Sequence, residues 1–149
     1  MLIDSCVEDA FQRYAYHTPN VTVEMLNREY GRLCAAYGLA DLGLSELAWT
    51  EVPHTFRSPM YYISYGTGML AALELFTRAQ TDPEGAKAIY RRILLRDGGP
   101  FRETVQRAGL SDPLAPETVD LLAEKLTAIA DAAPYRENGE RDSDGTTGT

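Results

Sequence analysis

The sequence predicts an all-α fold of about six helices, and three observations carry that reading. Apolar residues recur at spacings of three and four along almost the whole chain, the period of a helix with one buried face. The breaks between these stretches hold helix-stop and helix-start residues: His17-Thr18-Pro19-Asn20, Asp82-Pro83-Glu84, Gly98-Gly99-Pro100 and Gly109. No stretch alternates apolar and polar residues as a half-buried strand would.

Cys6, Val7, Ala10, Phe11 and Tyr14 share one face of a first helix, roughly residues 2–16, which Pro19 ends by disfavouring helix in the residue before it. Thr22 is placed to cap a second helix carrying Met25, Leu26, Tyr30, Leu33, Cys34 and Tyr37, with Gly38 closing it. Residues 39–45 read as a loop, followed after Ser45 by a short helix through Leu47, Ala48 and Trp49. Pro53 and Pro59 bracket an irregular stretch, and a long helix is expected from about Pro59 to Gln80.

Asp82-Pro83-Glu84 supplies a cap, a proline suited to the first helical position and an acid for the first turn. The helix it opens runs through Ala86, Ile89, Tyr90, Ile93 and Leu94, with Arg91, Arg92 and Arg96 towards its negative end. Pro100 to Ala108 forms a short helix stopped by Gly109. Pro116 to Ala132 forms the last, with Val119, Leu122, Leu126 and Ile129 on one stripe. Residues 1–133 therefore form one helical domain. Residues 134–149 hold no aliphatic side chain, cannot bury enough apolar area to offset the entropy of ordering, and are expected to be disordered.

Composition narrows the function. With 22 acidic and 14 basic residues the net charge is −8, which argues against nonspecific binding to nucleic acid. The N-terminus carries acids where a signal peptide carries bases, and the weakly polar stretch at about residues 59–76 contains Glu74 and is too polar for a membrane span. The chain reads as soluble and cytoplasmic, with no membrane partner. Its two cysteines, Cys6 and Cys34, form no disulfide framework and read as small buried side chains.

The sequence contains no H-E-x-x-H, no C-x-x-C, no P-loop and no G-x-S-x-G. Gly66-Thr67-Gly68 lies inside a predicted helix and lacks the setting of a dinucleotide loop. Two glycines there suit close approach by another helix or by a substrate. What chemistry remains is concentrated in VPHTFRSPMYYISYGTG, residues 52–68, where His54 precedes Tyr61, Tyr62 and Tyr65. An imidazole and phenol hydroxyls can hold a developing oxyanion, or the tyrosines can simply line a core with their hydroxyls at its rim. His17 reads as structural.

The W-x-x-V-P-H run from Trp49 to His54, followed by Ser58-Pro59-Met60-Tyr61-Tyr62-Ile63-Ser64-Tyr65-Gly66-Thr67-Gly68, resembles the C-terminal part of the oligoendopeptidase F branch of the thimet-oligopeptidase family. Tyr90 to Leu95 with Gly98-Gly99, and Ala108-Gly109-Leu110 with Asp112, resemble two later segments of that family. The resemblance covers about residues 2–132. It implies a zinc-dependent metalloendopeptidase in which an upstream H-E-x-x-H region and a later Glu bind zinc. The downstream histidine and tyrosines then contact the peptide substrate and its tetrahedral oxyanion. The histidine carries over to His54 and one tyrosine to Tyr65, while Tyr61 and Tyr62 compete for the second place. His54, Tyr65 and Tyr62 are expected as the catalytic contacts, and Tyr61, Gly66 and Gly68 as substrate-binding residues.

Met60 and Ile63 stand where the family often has aromatic residues, and no zinc ligand of the family is matched. The resemblance therefore implies that the intact enzyme uses zinc and that this chain alone holds none, is inactive by itself and needs a missing N-terminal catalytic half. A non-catalytic helical partner-binding module, or an inactive remnant, is the alternative. A helical enzyme using the His/Tyr group by itself is a weaker third, since no nucleophile or metal accompanies it.

Overall fold

A computed structural model describes residues 1–95 and 98–133. The expected disordered tail at 134–149, and Arg96, lie outside the described residues. The fold is all-α, with helices α1 (Leu2–His17), α2 (Val23–Ala36), α3 (Pro53–Arg57), α4 (Ile63–Ala79), α5 (Pro83–Leu94), α6 (Phe101–Ala108) and α7 (Pro116–Ala132). Two 3-10 turns, Ala40–Leu42 and Ala48–Glu51, lie between α2 and α3. The first falls within the expected loop, and the second stands where the sequence predicts a short helix.

The predicted ends are built as the residues dictate. The Thr22 hydroxyl accepts from the Met25 amide at 3.3 Å, and Asp82 accepts from the Gly85 amide at 2.9 Å. Gly38 and Gly109 take positive φ, 71° and 105°, where a helix ends in a left-handed residue. The expected stripe on α7 is buried only at Leu122, while Val119 is exposed.

One boundary differs from expectation by several residues. The long helix starts at Ile63, not Pro59, and residues 53–57 form α3 with Pro53 at its first turn. Pro59 disfavours the helical region at Ser58, which takes φ −146° and ψ 66°. Met60 then adopts a left-handed backbone, φ 62°, which costs an L-residue roughly 1–2 kcal/mol and stops a helix from forming across it.

Helix α1 packs against α2 and α4, and α4 packs in turn against α5 and α7. The buried apolar side chains divide into two cores. Val7, Phe11, Tyr30, Leu33, Cys34, Leu39 and Trp49 form one. Ala71, Ile89, Val105, Ala108 and Leu110 form the other. Helix α4 belongs to both regions: its start docks on α1 and its middle enters the second core.

Buried Glu74 ties α4 to the turn after α6. Its carboxylate accepts from the Ser111 amide at 2.9 Å, the Ser111 hydroxyl at 3.0 Å and Arg78 at 2.7 Å. These charge-assisted bonds give a buried carboxylate the partners it needs. Among the described residues, no helix is long and apolar enough to cross a membrane.

Candidate functional site

The four aromatic residues picked out by the sequence come together. Val52 takes an extended backbone, Pro53 opens α3, and His54 follows it in the first turn of that helix. Tyr61 stacks on the His54 ring with ring centroids 5.7 Å apart and planes at 14°. Tyr62 and Tyr65 meet it edge-on, at 5.4 Å and 5.7 Å. Tyr65 also meets Tyr61 and Tyr62 edge-on, at 5.6 Å and 5.3 Å. These are the offsets that aromatic quadrupoles favour.

The Tyr65 hydroxyl lies 3.5 Å from His54 Nε2. Tyr61 is 52% exposed, while His54 and Tyr62 are half-buried, so the cluster is a wall open to solvent on one side. Burial, reinforced by the negative charges of Glu8 and Asp4, pushes the Tyr62 phenol above its ordinary pKa. At neutral pH it therefore keeps the proton it would donate. The sequence predicts that Tyr61 and Tyr65 share a helix face. They meet although Tyr61 precedes α4, because the Ser64 and Tyr65 amides bond back to the Tyr61 and Tyr62 carbonyls at 2.9 Å and 3.1 Å, and this turn into α4 keeps a helix-like spacing.

A buried polar network underlies the cluster. Glu8 accepts from the Tyr30 hydroxyl at 2.9 Å, the Thr55 hydroxyl at 3.2 Å and the Gln12 amide at 3.5 Å. The Gln12 oxygen accepts from the Met60 amide at 2.6 Å. Burial raises the Glu8 carboxyl's pKa, against the three hydrogen bonds, which lower it. Burial, then the charge of Glu8, likewise pushes the Tyr30 phenol far up.

Nothing in the sequence marks Glu8, Gln12, Tyr30 or Thr55 as part of a site. The available signal is weak: Ser5, Glu8 and Gln12 lie one turn apart, beside the Val7 and Phe11 stripe, and so share the edge of its buried face.

The two glycines separate. A Cβ on Gly66 would meet Ser5 Cβ at 3.1 Å, so this glycine admits α1. Gly68 faces open space, and a Cβ added there would meet nothing within 4 Å. Gly68→Ala is expected to stabilise the chain by about 0.5–1 kcal/mol, the helix-interior penalty of glycine. Gly66→Val is expected to destabilise it, because the close-packed Ser5 and Leu2 have to move. Urea midpoints of both variants that shift in the same direction would contradict this assignment.

His17 stands apart, its Nδ1 donating to the Arg13 carbonyl at 2.8 Å. A groove of about 420 Å³ lies between the end of α4 and α5, lined by Arg78, Asp82, Gly85 and Arg92 among others. Its arginines are already engaged, Arg78 by Glu74 and Arg92 by the Ala108 carbonyl at 2.8 Å.

The described residues do not fit the zinc that the resemblance implies. Among them, no three His, Cys, Asp or Glu side chains converge as a metal site requires, and His54 is surrounded by phenols.

Fold and site together define a helical chain presenting an imidazole–tyrosine wall on a buried carboxylate–amide network. Comparison with protein-family models, curated proteins and solved structures returns no match.

Proposed function

We propose that the chain supplies the substrate-contacting part of a zinc-dependent metalloendopeptidase of the oligoendopeptidase F type. In this reading His54 and Tyr65, with Tyr61 or Tyr62, donate hydrogen bonds to the carbonyl of a bound peptide. They donate more strongly to the oxyanion that forms when water attacks it, which is how such donors lower a barrier. The metal-bearing half of the site belongs to an H-E-x-x-H region that this sequence does not contain, as the resemblance implies. The observation that supports the reading is the convergence of three tyrosine rings on one half-exposed imidazole, with the Tyr65 hydroxyl 3.5 Å from His54 Nε2.

The test is a titration of the labelled chain with a short unstructured peptide and with its phosphinate analogue, which carries the charge of the tetrahedral species. Both are expected to move the ring resonances of His54 and Tyr65, and the phosphinate is expected to bind more tightly. His54→Ala and Tyr65→Phe should each weaken phosphinate binding by roughly 10–100-fold, the worth of a hydrogen bond to a charged group. Ring signals that stay still, or variants that bind equally well, would refute the reading. Peptide turnover by the chain alone, abolished by a chelator and restored by zinc, would refute the placement of the metal elsewhere.

The second reading, a helical partner-binding module without catalysis, is favoured by large apolar side chains left in solvent, among them Leu42 at 75% exposure, Val23 and Phe56. It requires self-association or binding of an apolar dye without any response of the His54 ring to peptide.

A further inference from the structure

Between α3 and α4 the chain turns through Ser58, Pro59 and Met60, and the left-handed backbone of Met60 is unfavourable for a side chain of its kind. Something outside the turn has to hold it. The Met60 amide donates to Gln12 Oε1 at 2.6 Å, and Gln12 is 0% exposed. A backbone N–H only donates, so the side-chain amide of Gln12 has one permitted orientation, oxygen towards Met60 and NH2 towards an acceptor. That acceptor is Glu8 Oε2 at 3.5 Å, one helical turn earlier on α1. Glu8 in turn takes the Thr55 hydroxyl at 3.2 Å. Thr55 adjoins His54, and Met60 adjoins Tyr61. Two buried side chains of α1 thus reach both flanks of the aromatic wall.

We infer that Gln12 is the positioning residue of this site: its amide holds the Met60 turn in its left-handed form, and that turn carries Tyr61 and Tyr62 against His54. Gln12 acts through the backbone of the turn and touches no bound peptide. Its functional meaning rests on the proposed peptide site, but its test does not. Glu8 fixes the orientation of Gln12, and the Tyr30 hydroxyl shares the same carboxylate at 2.9 Å without reaching the turn. Gln12 and Tyr30 therefore differ in what they control although both belong to one network.

The experiment reads the His54 ring protons by NMR in the full chain, where the currents of three neighbouring tyrosine rings displace them from those of His17. In Gln12→Met, which nearly keeps the volume and removes the acceptor, the His54 signals are expected to move most of the way to those of a free histidine. The Met60 amide should exchange with solvent at least about 10-fold faster. Tyr30→Phe, which removes a different bond to Glu8, should leave the His54 signals in place. Adding Met60→Gly to Gln12→Met should bring part of the displacement back, because glycine takes positive φ without strain.

Unmoved His54 signals in Gln12→Met, or an equal movement in Tyr30→Phe, would overturn the inference. Should Gln12→Met not fold, the wild-type chain decides: an unprotected Met60 amide overturns the inference, and a protected one supports it. A wild-type chain that binds no peptide removes the proposed function and leaves this inference standing. Peptide binding with a His54 ring indifferent to Gln12 removes the inference alone.

Discussion

Replacing Phe11 by alanine is expected to destabilise the chain by about 3–5 kcal/mol, the range for emptying a large aromatic site in a core that collapses only partly. Phe11 is 0% exposed, meets Tyr30 edge-on at 5.0 Å and lies 5.4 Å from the tilted ring of Trp49. Removing it takes away the ring that joins α1 to α2 and to the 3-10 turn leading into α3. A domain of this size holds roughly 5–15 kcal/mol in total, so the loss is a large share. The melting midpoint should fall by about 10–20 °C. The His54 wall should loosen with it, since Trp49 also packs on Phe56 of α3 at 5.9 Å. Equilibrium urea unfolding checks this. A loss under about 1 kcal/mol would mean that the three rings do not form the packed unit described.

Glu8→Leu is expected to cost about as much, roughly 3–5 kcal/mol, for a different reason. It leaves the Tyr30 and Thr55 hydroxyls and the Gln12 amide buried without their acceptor, and each such group costs about 1–3 kcal/mol, less than additively. Glu8→Gln removes the charge and keeps one acceptor, so it separates charge from hydrogen bonding. The Glu8 carboxyl has its pKa raised by burial, so the folded chain holds this proton more tightly than the unfolded chain does. Stabilisation of that sign is complete below the unfolded carboxyl's value, about 4.3, and is lost as pH rises through the higher native value. Relative to Glu8→Gln, the wild-type chain should therefore lose stability from acid towards neutral pH. Urea midpoints of the two chains measured across that window provide the check. A wild-type chain that instead gains on the variant as pH rises would show the carboxyl shifted the other way.

The parts of this fold that the sequence makes legible are local. The Asp82-Pro83-Glu84 start, the Thr22 cap and the Gly109 stop each depend on residues within one turn, and each is built as the residue types dictate. His54 and its tyrosines are legible for the same reason, since all four fall within twelve positions of one another. The start of α4 is not legible, because Pro59 suits a first helical position equally well, and only the left-handed Met60 shows that the helix waits until Ile63. That conformation is held by Gln12, 48 positions away. The Glu8 network is illegible on the same grounds. Glu and Gln on a helix read as solvent-facing until Tyr30, Thr55 and the Met60 amide are brought over them by tertiary packing.

The division of the interior into two cores has a consequence for how the chain opens. Each core is a patch of its own, one under α1 and α2 and the other between α4, α5 and α6, and α4 enters the second while its start packs on α1. Such a chain can breathe in halves: the α5–α6 end can exchange its amide hydrogens through a local opening that leaves α1, α2 and the aromatic wall closed. The two halves are then expected to exchange as separate foldons, which hydrogen exchange resolved along the chain would show as two groups of opening free energies. A molecule bound at His54 would slow exchange across the first foldon and leave the second at its own rate, so the wall can be occupied without stiffening the whole chain.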